Sequence, residues 1–426
     1  MKPALPGLKR LSVMQFFGIA ADHSIKQAVL LSAATDERDL QGLALVCFAT
    51  PFLLWVGPAG RLCDRVDKRR VLVMLKWIEV AIMAAAVCVF CADPIGPLNL
   101  FAAMAVLALM ASQSAFLTPA KYGILVERYG TANLNHANAA MQITGHVAIL
   151  VGVVLGSVAV VWRYAAVSWV GFAIIGLAAS ITLPPHGHAL TNDDDANTGD
   201  DFVDATAQRR SLWRAFDSAA NRRRMIDVML LYGGVWWLAG LYQPIINVYA
   251  TGHLGLSETA TGGLLAFSVV GIAAGCWWAS RRPPGSTGPR QLRRLVFACG
   301  ICQAVMIAVT QIDRFAISVV STAGVLGVVG VLTGMLVLPL HVSVQTGAPR
   351  AFAGRLLAIE SMVNWIAIIA AGVCYVALST MVTQFGLGPA WLFIPSMATT
   401  FAAAALVRRD PTPASGWLYR PSASDS

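Results

Sequence analysis

The feature that most constrains this chain is a series of twelve apolar stretches, each long enough to cross a bilayer as a helix. Such a helix needs about 20 mostly apolar residues. Of the 426 residues, 57% are hydrophobic and only 12% are charged, so the apolar surface needs lipid to cover it. The expected spans are 11–33, 39–60, 71–92, 96–119, 137–161, 164–183, 225–250, 258–280, 293–312, 316–340, 352–378 and 385–407.

One long polar stretch, 184–224, separates the first six spans from the last six. It contains the acidic run NDDDANTGDD and then the basic runs QRRSLWRAF and NRRR, which is typical of a solvated linker whose basic end lies against a membrane. The sequence therefore predicts an all-α membrane protein with six-helix bundles at 1–183 and 225–407 and a cytoplasmic tail at 408–426. Many secondary transporters have this organisation and bind their substrate between the halves.

The net charge of +9 follows the predicted topology. With both termini in the cytoplasm, only three of the 31 Lys and Arg residues fall outside, and Lys26 lies deep within a helix. The three outside residues are Arg38, Arg163 and Arg314. All others lie on the cytoplasmic side, as is usual for multi-pass proteins. We therefore expect membrane lipids, and no nucleic acid, as neighbours of the basic clusters.

The eight cysteines lie in or at the ends of apolar runs, which indicates no disulfide framework. Two C-x-x-C pairs, Cys88 with Cys91 and Cys299 with Cys302, are predicted at opposite faces of the membrane and cannot share a metal ion. The sequence shows no nucleotide-binding loop and no acyltransferase domain. We therefore expect no cofactor, no metal site and no enzymatic activity.

Polar side chains recur at four-residue spacing inside several predicted spans, which places them on one face of each helix. Because polar groups are costly inside a membrane, they are candidates for a central substrate cavity. Asp22 and Lys26 have this spacing and are expected to form an ion pair. The other cavity candidates are His23, Asn138, Gln142, His146, Gln243, Asn247, Glu360 and Asn364. Alternatively, these groups only hold helices together, and His146 fits a hydrogen-bonded core histidine equally well.

The loop after the second span reads GRLCDRVDKRR over 60–70. This pattern resembles the signature loop of the major facilitator superfamily, although Asp67 stands where that family usually has a glycine. The resemblance implies a conformational latch made of Gly60, Asp64, Arg65, Lys68 and Arg69. Glycine permits close helix approach, and the aspartate can accept hydrogen bonds from the start of a neighbouring helix.

A second group of motifs resembles the lysophospholipid transporter branch of that superfamily. The run TPAKYGIL at 118–125 is followed by ANAAMQ at 137–142, and ADHSIK at 21–26 is similar to the branch's D-N-x-x-K element. In the second half, LPL at 338–340 and AG at 353–354 also match. The residues that carry the first of these motifs are Pro119, Lys121, Tyr122 and Gly123.

The resemblance implies a lysophospholipid that moves from the outer to the inner leaflet of a bacterial inner membrane by alternating access. Asp22 and Glu360 would meet its ammonium group and Lys26 its phosphate, and a cytoplasmic acyltransferase or acyl-carrier synthetase would be the partner that reacylates it. The chain departs from the branch where Gln142 and Asn364 replace glutamates, and it has no arginine between positions 232 and 249. These departures indicate a changed headgroup preference or a different cargo.

Two other functions stay open from the sequence. One is export of drugs or other amphipathic small molecules on the same fold. Proton-coupled drug antiporters usually carry a Gly-Pro element in the fifth helix, where this chain has Gly152 and Gly156 in a G-x-x-x-G motif. The other is a membrane scaffold or sensor that docks a cytoplasmic enzyme through the linker, but buried charges on several helices favour transport.

Overall fold

The computed structural model describes residues 7–34, 39–92, 97–184, 219–282, 287–312, 314–347 and 353–407. These residues form helices and short connections, with no strand among them. The first half contains α1 (Leu8–Ala34), α2 (Gln41–Arg65), α3 (Lys68–Cys91), α4 (Pro97–Val161) and α5 (Val167–Ile181). The second half contains α6 (Ala219–Val248), α7 (Glu258–Ser280), α8 (Pro289–Val309), α9 (Phe315–Gly347), α10 (Ala353–Gln384) and α11 (Phe393–Leu406).

The helix α4 contains two membrane-crossing segments that run in opposite directions. A straight helix of its 65 residues would be about 100 Å long, roughly three times the thickness of the hydrocarbon core. Leu107 and Ala159 instead lie in one core cluster, and Leu125 and Met141 lie in another. Because α1 contributes its two ends to these two clusters, the chain must reverse within α4. The two crossing segments are Asn99–Tyr129 and Thr144–Val161.

Ten helical segments of the described residues are long and apolar enough to cross a membrane. α1 is a further long helix, of 27 residues, that carries several charges. The shorter apolar helix Ala390–Ala405 completes the set. The predicted fold class, an all-α membrane protein with twelve transmembrane helices in two bundles, is confirmed. The division of the chain into four parts stays a prediction, because most of the linker and all of the tail lie outside the described residues.

Glycines let α1 and α4 pack with their backbones in contact. A Cβ atom placed on Gly152 would lie 2.5 Å from the carbonyl oxygen of Ala20, and one on Gly156 would overlap the carbonyl oxygen of Ser24. The G-x-x-x-G motif is therefore a helix-packing motif within the first bundle. Similar backbone contact joins α7 to α9 through Gly271, Gly275, Gly330 and Gly334.

The two bundles touch at one end of the molecule. At the end that carries Asp39, called here the closed end, a Cβ atom on Gly42 of α2 would lie 2.6 Å from the carbonyl oxygen of Gly372 of α10. Gly60 lies about five turns further along the same face of α2, and no described atom lies within 4 Å of a Cβ atom placed there. The opposite end, which carries the arginines of 61–70, is called the basic end.

Candidate functional site

The polar face of α1 lies half-buried inside the first bundle. Asp22, His23 and Lys26 all keep some exposure although they lie in the middle of a membrane helix. The Ser114 hydroxyl donates to Asp22 Oδ2 at 2.5 Å, whereas Asp22 Oδ1 has no partner among the described residues. The Lys26 ammonium lies 5.3 Å from the centre of the Phe48 ring on α2.

The predicted ion pair between Asp22 and Lys26 is wrong for this conformation, since the described residues form no such pair. The two residues share a helical face, but each side chain finds a partner on a different helix. Asp22 accepts a hydrogen bond from Ser114 of α4, and the Lys26 ammonium lies over the ring of Phe48 of α2. The two charges are therefore held separately at the wall of the space between the bundles.

A buried ion pair that was not predicted from the sequence lies behind Asp22. Lys76 Nζ and Glu79 Oε2 of α3 are 2.6 Å apart, and their side chains are 0% and 2% exposed. The Gln113 side-chain amide donates to Glu79 Oε2 at 3.1 Å. Gly18 of α1 makes room for the pair, because a Cβ atom there would lie 2.6 Å from Lys76 Nζ. The available signal was two opposite charges three residues apart in an apolar span.

Adjacent residues of α4 connect this ion pair to the polar face of α1. Gln113 contacts Glu79, and its neighbour Ser114 contacts Asp22. The two carboxylates also interact electrostatically, and Lys121 of α4 acts on Asp22 as a nearby positive charge. Lys121 is itself buried, with its ammonium 5.0 Å from the centre of the Tyr122 ring. The first bundle thus contains a continuous group of charges of both signs.

In the second bundle, Glu360 of α10 is buried and paired with His341 of α9. His341 Nδ1 and Glu360 Oε1 are 2.9 Å apart, and the Tyr232 ring lies 5.8 Å from the His341 ring. Asn364 lies one turn after Glu360 and is half-buried, and its side-chain oxygen has no partner in the described part of the chain. His341 was missed because only tertiary packing brings α9 to Glu360.

Gln243 and Asn247 of α6 cross from the second bundle to the first at the closed end. The Gln243 side-chain amide donates to Gln27 Oε1 at 2.6 Å, and the Gln27 amide donates to Asn247 Oδ1 at 3.3 Å. Asn247 in turn donates to Gln41 Oε1 at 2.9 Å. These predicted cavity residues therefore join the bundles in this conformation.

Asp39 completes the closed end. The Tyr375 hydroxyl of α10 donates to Asp39 Oδ2 at 2.5 Å, and Gln41 Nε2 lies 3.0 Å from Asp39 Oδ1. Burial raises the pKa of the Asp39 carboxyl above its ordinary value of 3.8, while the hydrogen bonds from Tyr375 and Gln41 oppose that change. Asp39 was not among the residues singled out from the sequence, because it stands at the very start of the second expected span, 39–60, and outside any polar stripe.

The raised pKa of Asp39 predicts that the closed end is favoured at low pH. Opening would return water to the carboxyl and lower its pKa, so the closed conformation binds a proton more tightly. The closed fraction should therefore be highest below the ordinary aspartate pKa and should fall as the pH rises through the raised pKa. Spin-label distances between α2 and α10 at this end, measured across a pH series, check this result. Asp39→Asn should remove the pH dependence, and an unchanged profile in that variant would contradict it.

Comparisons with known proteins establish the family. The sequence model of the Major Facilitator Superfamily matches residues 12–372. This chain belongs to that superfamily. It is 25% identical over 371 residues to the Lysophospholipid transporter LplT of Photorhabdus laumondii, covering 85% of this chain and 86% of that protein. It is 26% identical over 367 residues to the protein of the same name from Escherichia coli O9:H4, covering 84% of each.

Solved structures of the superfamily share the fold. A D-xylose–proton symporter superimposes with a TM-score of 0.70 at 13% identity, covering 96% of this chain and 98% of its own. A POT family transporter in complex with 5-aminolevulinic acid gives a TM-score of 0.67 at 13% identity, covering 94% and 95%. At such low identity these likenesses show the major facilitator fold alone.

The superfamily signature loop is bonded within the first bundle. Lys68 of α3 forms an ion pair with Glu127 of α4, and Arg69 donates to the carbonyl oxygens of Ile181 and Leu183 at 2.9 and 3.0 Å. Asp67, which replaces the usual glycine, caps α3 by accepting from the Arg70 backbone N–H at 2.8 Å. The latch role stays a prediction.

The remaining predicted residues fall into three groups. The side chains of Asp64, Asn138 and Gln142 lie outside the described part of the structure. Arg65 and Tyr122 are exposed, while Pro119 and His146 are half-buried on α4. Gly123 lies directly against the Lys68 side chain, since a Cβ atom there would lie 2.6 Å from it. Gly123 therefore links the TPAKYGIL motif to the signature loop.

Proposed function

We propose that this major facilitator protein moves lysophospholipids from the outer to the inner leaflet of a bacterial inner membrane by alternating access. The observation that carries the proposal is the separated pair of charges on α1, Asp22 and Lys26, beside an aromatic wall between the bundles. The similarity to lysophospholipid transporters over most of the chain supports the same cargo. Both termini would face the cytoplasm, as the charge distribution favours.

The separated charges suit a zwitterionic headgroup. Asp22 Oδ1 is an acceptor without a described partner, and it can bind an ammonium group. The described partner of the Lys26 ammonium is an aromatic ring, so the ammonium can bind a phosphate. Glu360 and Asn364 on the opposing bundle offer further oxygens toward the ammonium group. A charge-assisted hydrogen bond in such a site contributes about 1.5–3 kcal/mol.

The aromatic wall suits the single acyl chain. Phe52 of α2 stacks on Trp365 of α10 with ring centres 3.8 Å apart, and Phe48 contacts both rings. These side chains lie next to the Lys26 ammonium, so a chain attached to a headgroup at Asp22 and Lys26 would enter apolar surroundings at once. Two acyl chains would need a wider passage between α2 and α10 than one.

The conformation described here is closed at the end that would face outward. Towards the basic end, no described atom lies within 4 Å of a Cβ atom placed on Gly60 of α2. The alternative conformation would break the contacts of Gly42 with Gly372 and of Gln27 and Gln41 with Asn247. Rocking of the bundles would then carry the headgroup inward. The cytoplasmic partner would be an acyltransferase or acyl-carrier synthetase that reacylates the delivered lipid.

Uptake of a labelled lysophospholipid into the inner leaflet of proteoliposomes tests the proposal. The wild type should exceed empty vesicles, and Asp22→Asn and Lys26→Gln should each lower the rate by about 10- to 100-fold, through loss of one charge-assisted hydrogen bond. Arg222→Gln is the matched control, since Arg222 is exposed at the start of α6, and its rate should equal the wild type. If the wild type moves no lysophospholipid but transports a cationic dye, the lipid cargo is wrong and drug export takes its place.

A further inference from the structure

A groove on the outer surface of the first bundle lies at the basic end, away from the space between the bundles. It has a volume of about 560 Å³ and is formed by the first turns of α3 and the end of α5. In the described part of the chain, α3 packs against α4, α5 and the turn at Arg163–Ala166. The groove therefore opens to the surroundings of the protein and is separate from the proposed cargo path.

The floor of the groove is apolar and faces lipid. Its lining side chains are Val73, Met74, Trp77, Ile78 and Ile181. Trp77 is 59% exposed, and Met74, Ile78 and Ile181 are exposed as well. All the α3 members lie within a segment long and apolar enough to cross the membrane, where acyl chains are the neighbouring molecules. Positions 73, 74, 77 and 78 follow one helical face, so the groove runs along α3.

Two arginines, Arg69 and Arg70, line the groove where α3 begins. Arg69 is held in place by its hydrogen bonds to the carbonyl oxygens of Ile181 and Leu183, which use two of its five N–H donors. Arg70 is exposed at the same end of the groove. Both lie in the first turn of α3, where the helix dipole adds positive potential. Asp67 is the nearby carboxylate, and it is engaged by the Arg70 backbone N–H.

The distance between the charged and apolar parts matches a lipid. Arg70 and Trp77 are seven residues apart on one helix, which is about 10 Å along its axis. A phosphate bound at the arginines would thus place the upper part of an acyl chain against Met74, Trp77 and Ile78. A tryptophan at this depth is common at membrane interfaces. A water-soluble anion would leave the apolar floor uncovered, and a neutral lipid would leave both guanidinium groups without a counter-charge.

We propose that this groove binds an anionic diacyl phospholipid of the surrounding leaflet, with its phosphate at Arg69 and Arg70 and one acyl chain along α3. Bound there, the lipid would join the start of α3 to the end of α5. The proposal is independent of the transported cargo, because it concerns the opposite face of the bundle.

Quenching of Trp77 fluorescence by brominated lipids tests this site. The full chain is placed in phosphatidylethanolamine vesicles that contain a minor, equal fraction of brominated phosphatidylglycerol or of brominated phosphatidylcholine. The contribution of Trp77 is the difference between the wild type and Trp77→Phe. We expect phosphatidylglycerol to quench Trp77 more strongly than phosphatidylcholine, and Arg70→Gln to reduce its apparent affinity about fivefold, as expected for loss of one surface guanidinium.

The matched control is Trp391, a 52% exposed tryptophan in the turn before α11, at the closed end. Its quenching, obtained in the same way from Trp391→Phe, should be equal for the two lipids and unaffected by Arg70→Gln. Arg70 is exposed and has no described side-chain partner, so its variant should fold, and an unchanged Trp391 signal confirms this. The proposal would be overturned if both lipids quench Trp77 equally. It would also be overturned if Arg70→Gln prefers phosphatidylglycerol as strongly as the wild type does.

Discussion

Lys76→Met should destabilise the protein by about 3–5 kcal/mol, because it leaves the Glu79 carboxylate buried without its counter-charge. Glu79 would keep only the Gln113 amide as a described partner, and no solvent reaches a side chain that is 2% exposed. The double variant Lys76→Met, Glu79→Met should recover most of the lost stability, since replacing a whole buried pair by apolar groups is often neutral. Thermal unfolding of the detergent-purified protein, followed by tryptophan fluorescence, measures both effects.

The exposed pair Lys68 and Glu127 in the same bundle provides the control. Their side chains are 23% and 40% exposed, and an ion pair in such surroundings contributes about 0–1 kcal/mol. Glu127→Gln should therefore shift the unfolding midpoint far less than Lys76→Met does. If the double variant at Lys76 and Glu79 is as unstable as Lys76→Met alone, the pair is not compensated in the way proposed, and the charges themselves are needed for folding.

The twelve helices were predictable because membrane-spanning length is a local property of the sequence. Each span contains enough consecutive apolar residues to cross the hydrocarbon core, and no information about neighbouring helices is needed. The same locality explains part of the site. Asp22, Lys26 and Glu360 stand out because an ionisable group inside a span is costly wherever it lies, and the structure places all three within the bundles.

The partners of these residues were less predictable. Asp22 and Lys26 share a helical face, yet they do not pair with each other. Asp22 contacts Ser114 and Lys26 contacts Phe48, and both partners come from other helices. His341 pairs with Glu360 only because α9 packs against α10. Lys76 and Glu79 could have been found, since they are three residues apart within one span.

The position of Gln243 and Asn247 depends on the conformational state and not on helix formation. Their spacing correctly placed them on one face of α6, but that face can line a cavity or contact the first bundle. Which of these occurs depends on how the bundles are rotated relative to each other, and this differs between the two states of an alternating-access cycle. A single sequence specifies both states, so no local pattern distinguishes them.

Gly42→Leu should open the closed end and abolish transport. A Cβ atom at Gly42 would already lie 2.6 Å from the carbonyl oxygen of Gly372, and backbone cannot move aside as a flexible side chain can. Overpacking of this kind costs about 2 kcal/mol, which would change the ratio of closed to open molecules about 30-fold. Spin labels at Leu43→Cys and Phe385→Cys, in a variant without the eight native cysteines, should show a longer distance between α2 and the end of α10.

Gly60→Leu separates this effect from a general effect of leucine in α2. Gly60 lies on the same face as Gly42, about five turns away, but a Cβ atom there has no described neighbour within 4 Å. In the conformation described here, this substitution should leave the spin-label distance at the closed end unchanged. Transport also requires the two bundles to come together at the basic end, so Gly60→Leu should still slow uptake. It should do so by favouring the conformation in which the end that carries Asp39 is closed. If both variants lengthen the distance equally, the contact between Gly42 and Gly372 is not what holds the two bundles together at that end.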